Sequence, residues 1–319
     1  MSGFMDCFGA SDIGRNRATN EDHFLISDVC KSMRVHQTSL GLDHQTRLFG
    51  NTQGKLLMVA DGMGGHDAGE RASQLVLDTI VDYVLNVLSW MLQSDSTTEE
   101  NFVDQLKESL IACQHRIDKE SASVEQHRKM GSTLTLAYII WPRVFLIHVG
   151  DSRCYLFRQR KLQQLTRDHT LAQLVKDSAR DEDPKNQNEI LDGKSNSMSH
   201  VLWNVIGGGS EKPHPDALAI DLEMGDTLLL CTDGLSNTVP SSKIQEALSR
   251  NTSAAAVCTE LISEANDAGG SDNITLVVSR FLNEMPREML IQELEEPLAA
   301  TTDTGEFVAV ESLMTESAK

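Results

Sequence analysis

Apolar residues fall along this chain in two periods. Short apolar runs of strand length occupy residues 56–60 (LLMVA), 133–140 (TLTLAYII), 144–149 (VFLIHV) and 227–231 (TLLLC). Turn-forming residues bound them, as they bound buried strands. Trp141-Pro142-Arg143 reads as a hairpin turn between the second and third runs. Further strands are predicted at 153–158, 162–165, 217–222 and 274–281. Two stretches carry helical spacing instead. Over 67–92, Ala72, Val76, Ile80, Val84, Val87 and Met91 form one stripe, and Asp67 with Glu70 resembles a capping box. A second helix is predicted over 98–120, with Phe102, Leu106, Leu110, Cys113 and Ile117 as its stripe. Thr97 and Glu100 form its capping box.

Two long helices cover only part of so many strands. Two sheets packed face to face, with helices outside, bury both sets of apolar faces. The predicted class is therefore α+β: a four-layer α-β-β-α sandwich with two central, mostly antiparallel sheets. Residues 171–200 break the pattern. They begin helically (LAQLVKDSA) and continue as polar, turn-rich DEDPKNQNEILDGKSNSMS, so a mobile flap or surface insertion is expected over about 168–205. Residues 283–319 hold nine acidic and two basic residues. Met289, Leu290, Ile291 and Leu294 suit one short helix after Pro286, and the stretch beyond Pro297 has the composition of a disordered tail. The expected division is one domain over 1–282 and an acidic tail over 283–319.

Charge narrows the function classes. The 319 residues carry 28 Lys+Arg against 47 Asp+Glu, a formal charge of -19, of which the tail supplies -7. Binding to nucleic acid or an anionic membrane needs clustered cations, so neither is an expected partner. The start, MSGFMDCFGASD, lacks a basic stretch and a long apolar core, and does not read as a signal peptide. The apolar stretch 81–92 is interrupted by Asp82, Asn86 and Ser89 and is too short to span a bilayer. Six scattered cysteines include no CxxC pair; Cys154 and Cys231 lie among apolar residues as core thiols. A reducing cytoplasm fits this usage.

Candidate chemistry lies at the strand ends. Asp61 ends a strand in VADGMGG, Asp151 follows one in HVGDSR, Asp233 ends one in LLLCTDG, and Asp272 precedes one in GGSDNITLVV. One such aspartate is ordinarily a turn residue. Four of them, with Glu21-Asp22 before HFLI, make a carboxylate cluster that cannot ionise cheaply without cations. An all-oxygen donor set suits Mg or Mn rather than zinc. Arg17, four residues before Glu21, is either a two-pronged phosphate clamp or an ion-pair partner of Glu21 or Asp22. Carboxylate-held metals with a phosphate clamp suit hydrolysis at phosphorus. Other motifs fail. GNTQGKL (50–56) is not a P-loop, GxSxG is absent, and His169 in LTRDHT reads as a loop-packing residue rather than a ligand.

The ordered set SDIGRNRATNED (11–22), VADGMGGHDAGERAS (59–73), GSTLTL (131–136), HVGDSRCYLFR (148–158), LTRDHT (165–170), GDTLLLCTDGLSN (225–237) and GGSDNITLVV (269–278) closely resembles the metal-dependent protein phosphatases, specifically the bacterial branch of the type 2C Ser/Thr phosphatases. The match spans roughly residues 8–281. The resemblance implies a β-sandwich flanked by helices and a centre of two Mn2+ or Mg2+ ions. It implies hydrolysis of phosphoserine and phosphothreonine by a bridging metal-bound water or hydroxide, without a covalent enzyme intermediate. Carried over, Asp61 bridges the metals and the Gly62 carbonyl joins one. Asp233 and Asp272 hold the first metal. Glu21 serves the second, with Asp22 supporting metal-bound water, and Arg17 binds the phosphate. Asn273 stands behind the ligands, and Asp151 helps hold a weaker third metal.

Three departures from the family pattern stand out. Met63 follows the metal-site Asp-Gly where eukaryotic members have a histidine proposed as general acid. His66, three residues on, is a candidate for substrate binding or protonation, or else a helix cap, and a metal-bound water is an equal candidate proton donor. Asn237 replaces a frequent aspartate, which predicts a weaker third site. His200 and Trp203 stand where bacterial relatives commonly carry Arg or Thr. The expected partners are phosphorylated proteins and an opposing Ser/Thr kinase, and the expected state is a cytoplasmic monomer. A catalytically inactive phosphoprotein-binding scaffold and a binuclear phosphodiesterase are the alternatives.

Overall fold

Residues 56–60 show how the layers arise. Leu57 and Val59 face one way and Leu56, Met58 and Ala60 the other, and all are buried. A strand that is apolar on both faces needs a cover on each. The computed structural model describes residues 4–37, 39, 47–65, 67–88, 96–180, 198–209 and 212–283. Its first part runs β1 (Phe4–Asp12), β2 (Asp22–Arg34), β3 (Arg47–Met63), α1 (Asp67–Asn86) and α2 (Ser96–Ser123). Next come β4 (Gly131–Ser132), β5 (Leu134–Ile140), β6 (Arg143–Val149), β7 (Arg153–Arg158), β8 (Lys161–Gln164) and α3 (Leu171–Arg180). The last part is β9 (Ile206–Gly207), β10 (Asp216–Asp221), β11 (Thr227–Cys231), α4 (Asp233–Ser236), α5 (Ser241–Ser249), α6 (Ala254–Asp267) and β12 (Ile274–Leu282).

One sheet has the order β1-β12-β11-β7-β8. The other runs β10-β6-β5-β3-β4-β9, with β2 also paired to β3. The pairings β2–β3, β3–β5, β5–β6, β7–β11 and β11–β12 are antiparallel. Between the sheets lie Leu57, Val59, Ala137, Ile139 and Leu146 from one, and Cys154, Leu156, Leu228, Leu230 and Val277 from the other. On the outer face of the larger sheet, Leu56, Met58, Leu136 and Ile147 pack with Val76 and Ile80 of α1 and Leu106 and Leu110 of α2. On the outer face of the smaller sheet, Leu229, Leu276 and Val278 pack with Ile244 and Leu248 of α5 and Val257 and Leu261 of α6. Each Leu, Ile, Val or Met side chain among these, buried in full, stabilises the fold by about 1.5–3 kcal/mol. The predicted four layers, α-β-β-α, are the ones observed.

Element ends differ from the sequence reading. The first helix stops at Asn86 rather than 92, because the amides of Val87 and Leu88 both turn back to the Tyr83 carbonyl. Met91, the last member of its predicted stripe, lies outside the described residues. α2 begins at Ser96, so Thr97 stands inside it and not at its cap. The polar half of the expected flap (181–197) and the acidic tail from 284 onward also lie outside the described residues. Among those described, all six cysteines are unpaired, with Cys154 and Cys231 fully buried as predicted. No helix among them is long and apolar enough to cross a membrane.

Candidate metal centre

Antiparallel pairing brings the acidic strand ends together. Asp22 opens β2 and faces Asp61 near the end of β3. β5 runs back beside β3, and Leu134 at its start faces Val149, two residues before Asp151. In the other sheet, β11 ends at Cys231 opposite Leu276, which puts Asp233 beside Asp272 at the start of β12. One cleft of about 550 Å³ results. Arg17, Glu21, Asp61, Gly62, Asp151, Asp233 and Asp272 all line it, together with Met63, Thr133, His200, Val201 and Leu202. Asp22 is buried behind this lining. His66 lies outside the described residues.

The backbone around the cleft is fastened tightly. The Asp61 amide donates to Thr133 Oγ1 at 2.9 Å, and the Thr133 amide donates to the Asp61 carbonyl at 2.9 Å. Thr133 Oγ1 in turn meets Ser152 Oγ at 2.9 Å, tying Asp61 to the loop of Asp151. Asn273 holds the segment that carries Arg17 and Glu21. Its Oδ1 accepts from the Glu21 amide at 2.8 Å, and its Nδ2 donates to the Ile13 and Thr19 carbonyls at 3.0 Å each. Ser73 of α1 donates to the Glu21 carbonyl at 2.5 Å and meets His23 Nδ1 at 2.9 Å. Gly62 and Gly69 permit a close approach. A Cβ on Gly62 would sit 2.0 Å from the Gly69 carbonyl oxygen, and one on Gly69 would sit 2.0 Å from Glu21 Oε2. The Glu21 carboxylate therefore rests against the first turn of α1, where the helix dipole favours negative charge.

Electrostatics separates these acids from ordinary surface carboxylates. Burial raises the Asp61 carboxyl well above the usual range, and Asp22, Asp233, Asp151 and Asp272 add repulsion. Burial pushes Asp151 up to about 8, with Asp233 and Asp168 contributing. Asp22 rises to about 7 through burial, although it accepts from Thr232 Oγ1 at 2.8 Å. Asp233 is raised by burial and by Asp272. Its Oδ1 is buried without a hydrogen-bond donor among the described residues, and its Oδ2 accepts from Asn237 Nδ2 at 3.1 Å. Among the described residues, no three His, Cys, Asp or Glu side chains already close around one metal-sized point. The donor set still fits divalent cations: five carboxylates face one cleft, one of their oxygens is orphaned, and the donors are hard oxygens. Arg17 Nη2 pairs with Asp272 Oδ2 at 2.7 Å, a partner 255 positions away that the local sequence did not suggest.

Several functional positions escaped the sequence reading. Thr133, Thr232 and Ser73 looked like ordinary strand or helix residues, and their hydroxyls are revealed as fasteners only by tertiary contact. His200 lines the cleft as expected of a flap residue, whereas Trp203 faces a separate groove with Lys107 and Lys212.

Comparison with known proteins agrees with the geometry. A family model described as protein phosphatase 2C matches residues 40–278. The chain is 32% identical over 237 residues to the serine/threonine phosphatase stp of Listeria monocytogenes, covering 73% of this chain and 87% of that one. The crystal structure of the Mycobacterium tuberculosis serine/threonine phosphatase PstP/Ppp superposes with a TM-score of 0.66 at 29% identity, covering 88% of this chain and 99% of that one. The PstP catalytic domain in complex with two manganese ions matches with a TM-score of 0.64 at 29% identity, over 88% and 100% of the respective chains. With three quarters of its length matched by the family model and its fold shared with these structures, the chain belongs to the protein phosphatase 2C family.

Proposed function

We propose that this protein hydrolyses phosphoserine and phosphothreonine in phosphorylated proteins, using two Mn2+ or Mg2+ ions held in the carboxylate cleft. The observation that carries this reading is the meeting of Glu21, Asp61, Asp151, Asp233 and Asp272 in one cleft with Arg17. Asp61 would serve both ions and the Gly62 carbonyl would join one, Asp233 and Asp272 would hold the first ion, and Glu21 the second. Asp151 would serve a weaker third. When bound, such ions lower the pKa of water, place it in line, and neutralise phosphoryl charge.

The chain's own residues do the rest. Arg17 is half exposed at the cleft and presents a planar fork that matches two phosphoryl oxygens. It must turn from Asp272 Oδ2 to reach them. Asp22 acts from behind, next to Asp61 in register, held by the Thr232 hydroxyl. The leaving seryl or threonyl oxygen takes its proton from solvent or from His66. Residues 1–282 form the catalytic unit in this reading and 283–319 an appended acidic tail. An opposing Ser/Thr kinase, a cytoplasmic location and a monomeric state complete it. An inactive scaffold has no use for a buried carboxylate oxygen without a donor, such as Asp233 Oδ1, and a formal charge of -19 disfavours a nucleic-acid diester.

A panel of phosphoserine, phosphothreonine and phosphotyrosine peptides, with a diester control, tests the reading. Mn-dependent release of phosphate from the first two is expected. Turnover that survives full chelation, or that favours the diester, overturns it.

A further inference from the structure

Beside the cleft stands a buried histidine that the proposed mechanism does not use. His169 lies in the segment LTRDHT (165–170) and is 2% exposed. It clamps Gly150, the neighbour of Asp151, from two directions. The His169 amide donates to the Gly150 carbonyl at 2.7 Å, and the Gly150 amide donates to His169 Nδ1 at 3.1 Å.

The same residue anchors the far wall. The Trp203 amide donates to the His169 carbonyl at 3.0 Å, and the Trp203 ring lies 5.0 Å from the imidazole. Thr170 bridges to Leu202, and the Leu171 amide donates to the Val201 carbonyl at 2.8 Å. His200, Val201 and Leu202 line the cleft that Asp151 also lines.

The proton position follows from the bonding. Asn204 Oδ1 accepts from the His214 amide at 3.0 Å and Nδ2 donates to the His214 carbonyl at 2.7 Å, which fixes the orientation of the amide. Its Nδ2 therefore also points a donor at His169 Nδ1, at 2.9 Å. With two donors converging on it, Nδ1 is an acceptor, and the ring proton sits on Nε2, facing Asp216 Oδ2 at 3.2 Å. The neighbouring His148 ring, 4.9 Å away, is buried and neutral, since burial brings it down to about 3.

We propose that His169 is a positioning residue, a neutral imidazole whose Nδ1 couples the Gly150–Asp151 loop of the metal cleft to the substrate-facing wall at 200–202. This rests on the phosphatase reading above. Loss of Nδ1 strands two buried donors and frees the loop and the wall together.

The test compares His169→Leu, His169→Asn and His169→Gln in the full chain. Asn places an acceptor near Nδ1, and Gln places its amide near Nε2. Mn2+ alone is titrated by calorimetry, and kcat and KM are read on p-nitrophenyl phosphate and on a phosphothreonine peptide. In His169→Leu, Mn2+ affinity should fall about tenfold, the size typical for a partner behind a ligand. Its peptide KM should rise more than its p-nitrophenyl phosphate KM, because only the peptide reaches the wall. His169→Asn should recover most of both and His169→Gln little. If His169→Leu does not fold, the Asn and Gln variants decide by the same ordering. Wild-type Mn2+ affinity and peptide KM in His169→Leu, or equal behaviour of Asn and Gln, overturns the inference. A wild-type chain without Mn-dependent phosphatase activity overturns the parent reading instead.

Discussion

β11 carries an aspartate at each end, and the two have opposite surroundings. Asp226, just before the strand, is 2% exposed and fully partnered. Its Oδ1 accepts from Arg158 Nε at 2.8 Å, and its Oδ2 accepts from Arg158 Nη2 at 2.6 Å and from the Glu223 amide at 2.7 Å. Asp233, just after the strand, has a buried oxygen with no donor and a neighbouring carboxylate that raises its pKa further. A buried charge is tolerated only when paired. Asp226 finds its cation in the protein, so it is structure. Among the described residues Asp233 has no two-pronged partner of that kind, and in the proposed reading divalent ions would complete its environment.

Substituting each aspartate gives the sharpest contrast. If Asp233 holds a metal as proposed, Asp233→Asn should lower kcat/KM on a phosphothreonine peptide by on the order of a thousandfold, about 4 kcal/mol of transition-state stabilisation. The cation-free protein should melt no lower than wild type, because the change also removes a repelled carboxylate. A lower melting temperature with retained activity would make Asp233 another Asp226.

Cations should stabilise the Asp233 end selectively and in a pH-dependent way. Asp22 and Asp151 titrate in the folded chain at about 7 and about 8. In the unfolded chain both titrate near the ordinary value of about 4. Below that value both states are neutral. As pH rises through the window, the unfolded chain sheds protons that the folded chain keeps, so cation-free stability falls. Mn2+ binds the ionised carboxylates. Saturating Mn2+ should therefore raise the melting temperature more at pH about 8 than at pH about 6, with roughly 2.7 kcal/mol gained at a hundredfold excess over Kd. Equal shifts at both pH values would mean that the ions bind elsewhere.

Asp226→Asn reverses the pattern. It weakens a two-pronged bond to Arg158 and should cost about 1–3 kcal/mol of stability, with kcat unchanged in calorimetric and kinetic measurements on the same preparation. Lost activity at full folding would join the two ends of β11 functionally and break the contrast.

The two ends were not equally legible in the sequence. Asp61, Asp151, Asp233 and Asp272 announce themselves by nearby glycines and by the apolar runs they border, which is local information. The layers were legible for the same reason, since LLMVA and TLLLC are apolar on both faces. β1 was not. FMDCFGASD mixes polarity on a sheet edge, and its Gly9 makes sense only against Phe24, whose ring a Cβ there would approach to 2.4 Å. The partnerships Arg17–Asp272, Asn273–Glu21 and Thr232–Asp22 each span more than 200 positions. No periodicity reports contacts of that range. They come from closing two sheets on each other.

The smallest effect concerns the amide that Asn237 presents to Asp233 Oδ2. Asn237, exposed at the end of α4, supplies that amide across 3.1 Å. Asn237→Asp replaces the donor with a second carboxylate. A like charge at this spacing on a helix costs about 0.5 kcal/mol, so the cation-free protein should melt slightly lower, and more so at alkaline pH. The added charge should also strengthen Mn2+ binding at the Asp151 side of the cleft. Calorimetric titration should then show an extra weak binding event in Asn237→Asp that wild type lacks, with kcat changed only a few-fold at saturating Mn2+. Identical titration curves would show that the Asn237 amide sets no metal stoichiometry. The contrast along β11 would then rest on the buried Oδ1 of Asp233 alone.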